Sequence, residues 1–218
     1  MVLVTSPLLP TAHSAAQPLA TTMASSSLPS LTDAPLGTPP PVVRLCAATL
    51  ADLDAIHRVE LTGDSMFLAA GHPEFTDAPA ASRAEATCAV EQGGAIVVAR
   101  LEQSNAGDAC DHVVGFVWTG DCGEEMRVRQ LSVDPKYGRR GIGKLLIGHA
   151  IATAKEARKS LVLDTQDDIP WNRPWYERLG FAIVPPAEWT PAMHQVVEEQ
   201  TAEGLRWDTR VHMRLAMP

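Results

Sequence analysis

Apolar positions change their period repeatedly after residue 42, and each change marks an expected element. Residues 43–47 read as a short first strand. Behind a Thr49 or Asp52 cap, Leu53, Ile56 and Val59 recur at helical spacing, which predicts a helix to about Thr62. Gly63, Asp64 and Ser65 are expected to interrupt it, with 66–70 resuming it. Residues 71–79 read as a loop and 81–92 as a second helix closed by Gly93 and Gly94. Two apolar strands are expected at 95–101 and 113–119, joined by a polar turn at 102–111, and 120–125 turns into a central strand at Met126. Later come a strand at 161–165, a short helix capped by Asn172, a strand at 181–184 and a helix within 191–203. The end of the chain, 208–216, alternates as a final strand. Val211, Met213 and Leu215 lie on one of its faces, and Arg210, His212 and Arg214 on the other. The mixed order of strands and helices predicts an α/β or α+β sheet covered by helices on both faces.

The stretch 128–157 carries the chemistry. Leu131 and Val133 alternate with Gln130 and Ser132 in a strand that Pro135 must end. Gly138, Gly141 and Gly143 follow in a turn. From Ile142 onward Leu145, Leu146, Ala150 and Ile151 keep helical spacing. A strand, a glycine-rich turn and a helix aim free N–H groups and the positive end of a helix dipole at one spot, which suits a phosphate. A dinucleotide motif fails, because Leu146 stands where its third glycine belongs. Residues 138–144 fit the spacing of a nucleotide-hydrolase phosphate loop, and 161–164 could pass as its later acidic strand. Leu145, however, replaces the hydroxyl that such a loop places on magnesium.

The third reading accounts for both halves of the stretch. Ser132-Val133-Asp134-Pro135, followed by residues 137–146, resembles the pyrophosphate-binding motif of the GCN5-related N-acetyltransferases (GNAT). Gly138 stands where that family's motif has Gln or Arg, and Arg139 and Arg140 supply the charge. A second block, Pro170-Trp171-Asn172-Arg173-Pro174-Trp175-Tyr176 through Phe181, resembles the family's Asn…Tyr-x-x-x-Gly-Phe segment. Together the blocks span 131–181. The resemblance implies a mixed, mostly antiparallel sheet flanked by helices, with two central strands splayed apart to admit acetyl-coenzyme A, and no metal. It also implies that Leu131, Ser132, Val133, Gly138, Arg139, Arg140, Gly141, Ile142, Gly143, Lys144, Asn172 and Tyr176 line the coenzyme site. Tyr176 would protonate the leaving thiolate, and backbone N–H of Val133 would receive the acetyl oxygen.

The acceptor amine must be neutral to attack. The family's usual glutamate on the central strand is Arg129 here, which takes no proton. Glu60 is the candidate base. Asp64, Asp168 and Trp171 are candidate acceptor contacts, Asp168 with Asp167 as an acidic loop and Trp171 with Trp175 as aromatic surfaces for an amine cation. The expected activity is acetylation of a primary amine on a small molecule by direct attack. Acetylation of a protein N-terminus or lysine, and a non-catalytic acyl-coenzyme sensor, are the alternatives.

Composition narrows the setting. A net charge of −8 over 218 residues argues against an exposed nucleic-acid surface, and no apolar run reaches membrane-spanning length. Cys46, Cys88, Cys110 and Cys122 have no paired spacing, so free thiols in a reducing, cytoplasmic setting are expected and zinc is not. A homodimer is compatible with the sequence. Residues 1–41 hold no Lys or Arg and end in Pro39-Pro40-Pro41. They read as a disordered extension ahead of a transferase domain at 42–218.

Overall fold

A computed structural model of the chain describes residues 42–73, 81–93, 95–102 and 113–217. The expected extension at 1–41, most of the loop at 71–79, most of the turn at 102–111, Gly94 and Cys110 fall outside these residues. The described chain builds seven strands and five helices: β1 (Val43–Ala47), α1 (Leu53–Ala69), α2 (Ala81–Glu91), β2 (Ile96–Leu101), β3 (Val113–Cys122), β4 (Glu125–Val133), α3 (Ile142–Glu156), β5 (Ser160–Gln166), α4 (Asn172–Glu177), β6 (Ala182–Ile183), α5 (Pro191–Ala202) and β7 (Arg210–Leu215). One sheet runs β1-β2-β3-β4-β5-β7-β6. Every neighbouring pair is antiparallel except β4 with β5.

Alternation along the strands sorts side chains into two cores. Leu131, Val133, Leu161 and Leu163 pack with Ile142, Leu146, Ile147, Ala150 and Ala154 of α3 and with Tyr176 of α4. Ile96, Val98, Phe116 and Trp118 pack on the other face against Leu53, Ile56 and Val59 of α1 and Ala86 of α2. Helix α5 covers that same face over β5, through Val162 and Met193. The start of α1 is tied down by Asp52, which accepts from Thr49 N (2.7 Å), Thr49 Oγ1 (2.8 Å) and Arg100 (2.6 Å).

The pairing of β4 with β5 is short. It covers Glu125–Ser160, Met126–Leu161 and Arg127–Val162 and stops there. Beyond that rung β4 pairs with β3 as far as Val133, and β5 pairs with β7 as far as Gln166. The two central strands therefore part midway, as the resemblance implied. A buried ion network stands at the vertex. Arg127 donates to Asp164 Oδ1 through Nε (3.2 Å) and a terminal nitrogen (2.5 Å). Arg210 and Gln200 (3.0 Å) donate to Oδ2. Burial by itself would raise the Asp164 carboxyl, yet Arg127 and Arg210 hold it well below the usual carboxylate range.

Three expectations are corrected. Helix α1 is continuous through Gly63, Asp64 and Ser65, because its far end is anchored by Phe67 against Ile169 and Leu205. A mid-helix glycine costs only about 1 kcal/mol relative to alanine, which this anchor outweighs. The broad turn at 120–125 is a tight one, since β3 extends to Cys122 and pairs with Glu125. The helix-cap position before α4 is held by Trp171, not Asn172. Asn172 is instead the first helical residue, fully buried, with an amide side chain that meets no partner among the described residues. The final strand shows its expected alternation from Arg210, and both faces are covered: Met213 packs in the α3-side core with Val211 and Leu215 against it, while Arg210 and His212 point into the ion network and α5.

Replacing Asp164 with Ala should leave two buried guanidinium groups uncompensated and cost roughly 3–5 kcal/mol, read by urea denaturation. Because the folded-state carboxyl titrates below its unfolded value, its contribution is present above about pH 4 and declines as pH falls further. The variant should therefore lose part of the wild type's acid sensitivity. Unchanged stability would show that the vertex does not depend on this group.

Candidate active site

Past the last shared rung, the facing edges of β4 and β5 are unpaired with each other. The amide of Asp134 donates to Val114 O on β3 (2.9 Å). Alternate residues of a strand face the same neighbour, so the backbone groups of Val133 and Leu131 face the opposite way, into the gap. A β-bulge lies within β4: Trp118 opposes Gln130 while Thr119 opposes Val128, so Arg129 has no opposite residue. The extra residue puts Val128 and Leu131 both on the α3 side. Arg129 and Gln130 are both turned to the α1–α2 side, where they meet Glu85 (3.3 Å) and Glu60 (2.9 Å). Strict alternation would have set Val128 on the Gln130 side; Gln130 itself lies on the opposite face from Leu131, as expected.

At the end of β4 the chain turns through 135–141 into α3. Gly141 is the cap residue at φ 84°, a left-handed conformation open to glycine, and a Cβ there would meet nothing within 4 Å. Arg139 also has positive φ, 58°. The first bond of α3 runs from the Leu145 amide to Gly141 O (3.0 Å). The amides of Ile142, Gly143 and Lys144 are thus left for a partner from outside, at the positive end of a 15-residue helix. Arg139, Arg140, Gly141 and Lys144 are exposed, and no described carboxylate pairs with their cations. Gly138 is half-buried, and a Cβ at Gly143 would lie 3.8 Å from both Val133 and Trp175. This packs the start of α3 against β4 and α4.

Five buried residues near the gap carry polar atoms without a partner among the described residues: Asp64, Ser132, Thr165, Asn172 and Tyr176. Buried polar groups are nearly always paired, so a cluster of orphans marks where a ligand belongs. The groups suit an extended polar molecule between β4 and β5, with the free amides at the start of α3 on one side. Tyr176 is fully buried and packs edge-on against Trp175 (4.9 Å) and Phe181 (5.6 Å). Burial, and behind it the Asp164 charge, push its phenol well above the ordinary value, so it stays a proton donor.

On the other side of the sheet, Glu60 and Asp64 follow one another on the inner stripe of α1, and both are buried. Burial raises the Glu60 carboxyl, with Gln130 and His57 opposing it. Burial and then the Glu60 charge lift Asp64 to about 8. Glu60 borders a solvent-open cleft of about 290 Å³ lined also by His57, Arg83, Trp118 and Gln130. The remaining candidates lie in the β5–α4 connection. Asp168 pairs with His72 (3.2 Å), Asp167 with Arg173 (2.6 Å), and Trp171 is 42% exposed. The structure thus groups Glu60 with Asp64 beside Ser132, and holds Asp168 against the end of α1. Among the described residues no three His, Cys, Asp or Glu side chains gather as a metal-holding group, and no helix is long and apolar enough to cross a membrane.

Residues 92–183 match the family model described as Acetyltransferase (GNAT) domain. The PaiA N-acetyltransferase from Thermoplasma acidophilum, solved with coenzyme A, shares the fold at TM-score 0.55 and 13% identity, covering 81% of this chain and 99% of that one. The ribosomal-protein-S18-alanine N-acetyltransferase from Escherichia coli superposes at TM-score 0.52 and 19% identity, over 81% and 96%. N-acetylglutamate synthase from Neisseria gonorrhoeae, complexed with coenzyme A and N-acetyl-glutamate, does so at 0.56 and 14%, over 81% and 36%.

Gly141→Glu should abolish binding of coenzyme A in calorimetry, because it fills the turn and places a carboxylate where phosphate belongs. Binding at wild-type strength would show that the diphosphate is held elsewhere.

Proposed function

We propose that this chain is an enzyme of the GNAT superfamily that moves the acetyl group of acetyl-coenzyme A to the primary amine of a small molecule. The match of residues 92–183 to the GNAT family model supports an N-acetyltransferase that works with acetyl-coenzyme A. The acceptor class and the residue roles are our reading. What carries it is the ring of unpartnered buried groups at the gap, with free helix amides at one end and two desolvated carboxylates at the other.

In this reading, amides of Ile142, Gly143 and Lys144 take the diphosphate, with Arg139 and Arg140 screening its charge. Gly138 and Gly141 keep the turn open. Leu131, Ser132 and Val133 line one wall, and the inward amide of Val133 receives the carbonyl oxygen as negative charge develops there. Asn172 lines the opposite wall. Tyr176 gives its proton to the departing sulfur. Glu60 and Asp64 serve the amine side, one as base and the other as acceptor contact, and Asp168 and Trp171 border the entrance. A small acceptor is favoured because both carboxylates are buried, which suits a compact ammonium group better than a long peptide. We place the enzyme in the cytoplasm, on the half-buried or exposed free thiols of Cys46, Cys88 and Cys122, and take residues 42–218 as its domain.

Tyr176→Phe should lower kcat by about 10²-fold or more, with the coenzyme A Kd unchanged. Turnover equal to wild type would remove the phenol from the proton inventory. A screen of primary amines against acetylated peptides, reading released thiol, decides the acceptor class. Turnover confined to peptides would overturn the small-molecule assignment.

A further inference from the structure

Helix α1 crosses from one half of the parted sheet to the other, and its contacts show where the crossing falls. Glu60 touches Gln130 of β4 (2.9 Å), and a Cβ at Gly63 would stand 3.7 Å from Ser132 Oγ. One turn on, Phe67 packs against Ile169, beyond the end of β5, and Leu205. Asp64 lies between these contacts on the same inward stripe, one turn after Glu60. Its place is therefore over the gap between β4 and β5. It is 1% exposed, and both carboxylate oxygens lack a partner among the described residues. Glu60 differs in having Gln130 as a donor and His57 beside it (3.6 Å).

We propose that Asp64 is the group that takes the proton from the acceptor's ammonium, with Glu60 acting as a positioning residue that carries the proton on to the cleft at His57. This rests on the acetyl-transfer reading above and divides the roles of its two carboxylates. The Asp64 carboxylate accepts one proton from R-NH₃⁺ and frees the nitrogen lone pair. That nitrogen bonds to the thioester carbon, the carbon–sulfur bond breaks, and Tyr176 protonates the sulfur. Tyr176 recovers its proton from the new amide nitrogen. The proton on Asp64 leaves through Glu60 to His57, whose side chain is 40% exposed.

The surroundings support a base at this point. On α1, Arg58 donates to Val113 O and is turned away. On β4, Arg129 is occupied by Glu85 and stacked on Trp118 (4.6 Å), while Gln130 and Ser132 are neutral. On α2, Arg83 pairs with Asp54 (2.7 Å), and beyond β5, Asp168 pairs with His72. No cation faces Asp64 among these groups, and Glu60 is the one whose charge acts on it. An acid so placed holds a proton firmly, so its conjugate base takes one well from an amine.

The test compares wild type, Asp64→Asn and Glu60→Gln, reading thiol released from acetyl-coenzyme A with ethanolamine, putrescine and benzylamine as acceptors across the neutral-to-alkaline range. Wild-type kcat/KM should rise through pH about 8. Asp64→Asn should lose about 10²-fold or more and that rising limb, while binding coenzyme A as before. Glu60→Gln removes a neighbouring negative charge and should move the limb to lower pH. A wild-type rate and profile in Asp64→Asn overturns the proposal. Difference infrared spectroscopy gives a readout independent of any acceptor. A protonated carboxyl present at pH 7 in wild type and missing in Asp64→Asn supports the assignment, and its absence from wild type overturns it. Failure of wild type to turn over any amine while it binds coenzyme A would count against the small-amine reading and leave the infrared result to decide Asp64.

Discussion

One carboxylate shared by two guanidinium groups stands where the sheet divides. Asp164 lies two residues beyond the last β4–β5 rung and is gripped by Arg127 from β4 and Arg210 from β7, with Gln200 of α5 completing its bonds. Ions buried this deeply are costly to desolvate, and such a network is stable only when every partner is present. Its effect is geometric. It fastens β4 to β5 and β7 at one level, so the strands can separate beyond that level without the sheet coming apart. The gap, and everything placed around it, depends on that fastening.

What surrounds the gap runs against the usual rule of a satisfied interior. Hydroxyl, amide and carboxylate groups of Ser132, Thr165, Asn172, Tyr176 and Asp64 are buried without partners among the described residues, each at a cost on the order of 1–3 kcal/mol. The two packed cores and the Asp164 network offset that cost. In return the site is already desolvated and aimed before any ligand arrives. The same absence of water raises Tyr176 and Asp64 above their ordinary titration ranges, so burial gives both groups their chemical character.

Similarity of fold does not extend to the acceptor. The proteins that superpose on this chain include one named for a ribosomal-protein alanine and one for glutamate, at 19% and 14% identity. Likeness at that level concerns the scaffold. In the reading proposed above, the acceptor side is built from α1, α2 and the β5–α4 connection, with Arg129 at the strand position where the resemblance led us to expect glutamate.

Much of this was legible in the sequence. The turn at 138–143 follows from glycine spacing between a proline-ended strand and an amphipathic helix, all of them local properties. The second block, ending at Tyr176, Gly180 and Phe181, is local in the same way. Non-local facts were not legible. Gly63 looked like a helix break because its intrinsic cost is visible, while the anchor at Phe67, Ile169 and Leu205 joins segments far apart in the chain. Asn172 looked like a cap because its residue type suits one, yet the fold buries it beside the gap. The bulge at Arg129 moves Val128 to the Leu131 side, away from the Gln130 side that strict alternation gives it, through register with β3 that no single strand encodes. Sequence thus determined most of the elements, the glycine-rich turn ahead of α3 and the residue types available for chemistry. Tertiary structure alone decided which buried carboxylate has no partner among the described residues and where the strands part, because both depend on long-range pairing and on exclusion of water.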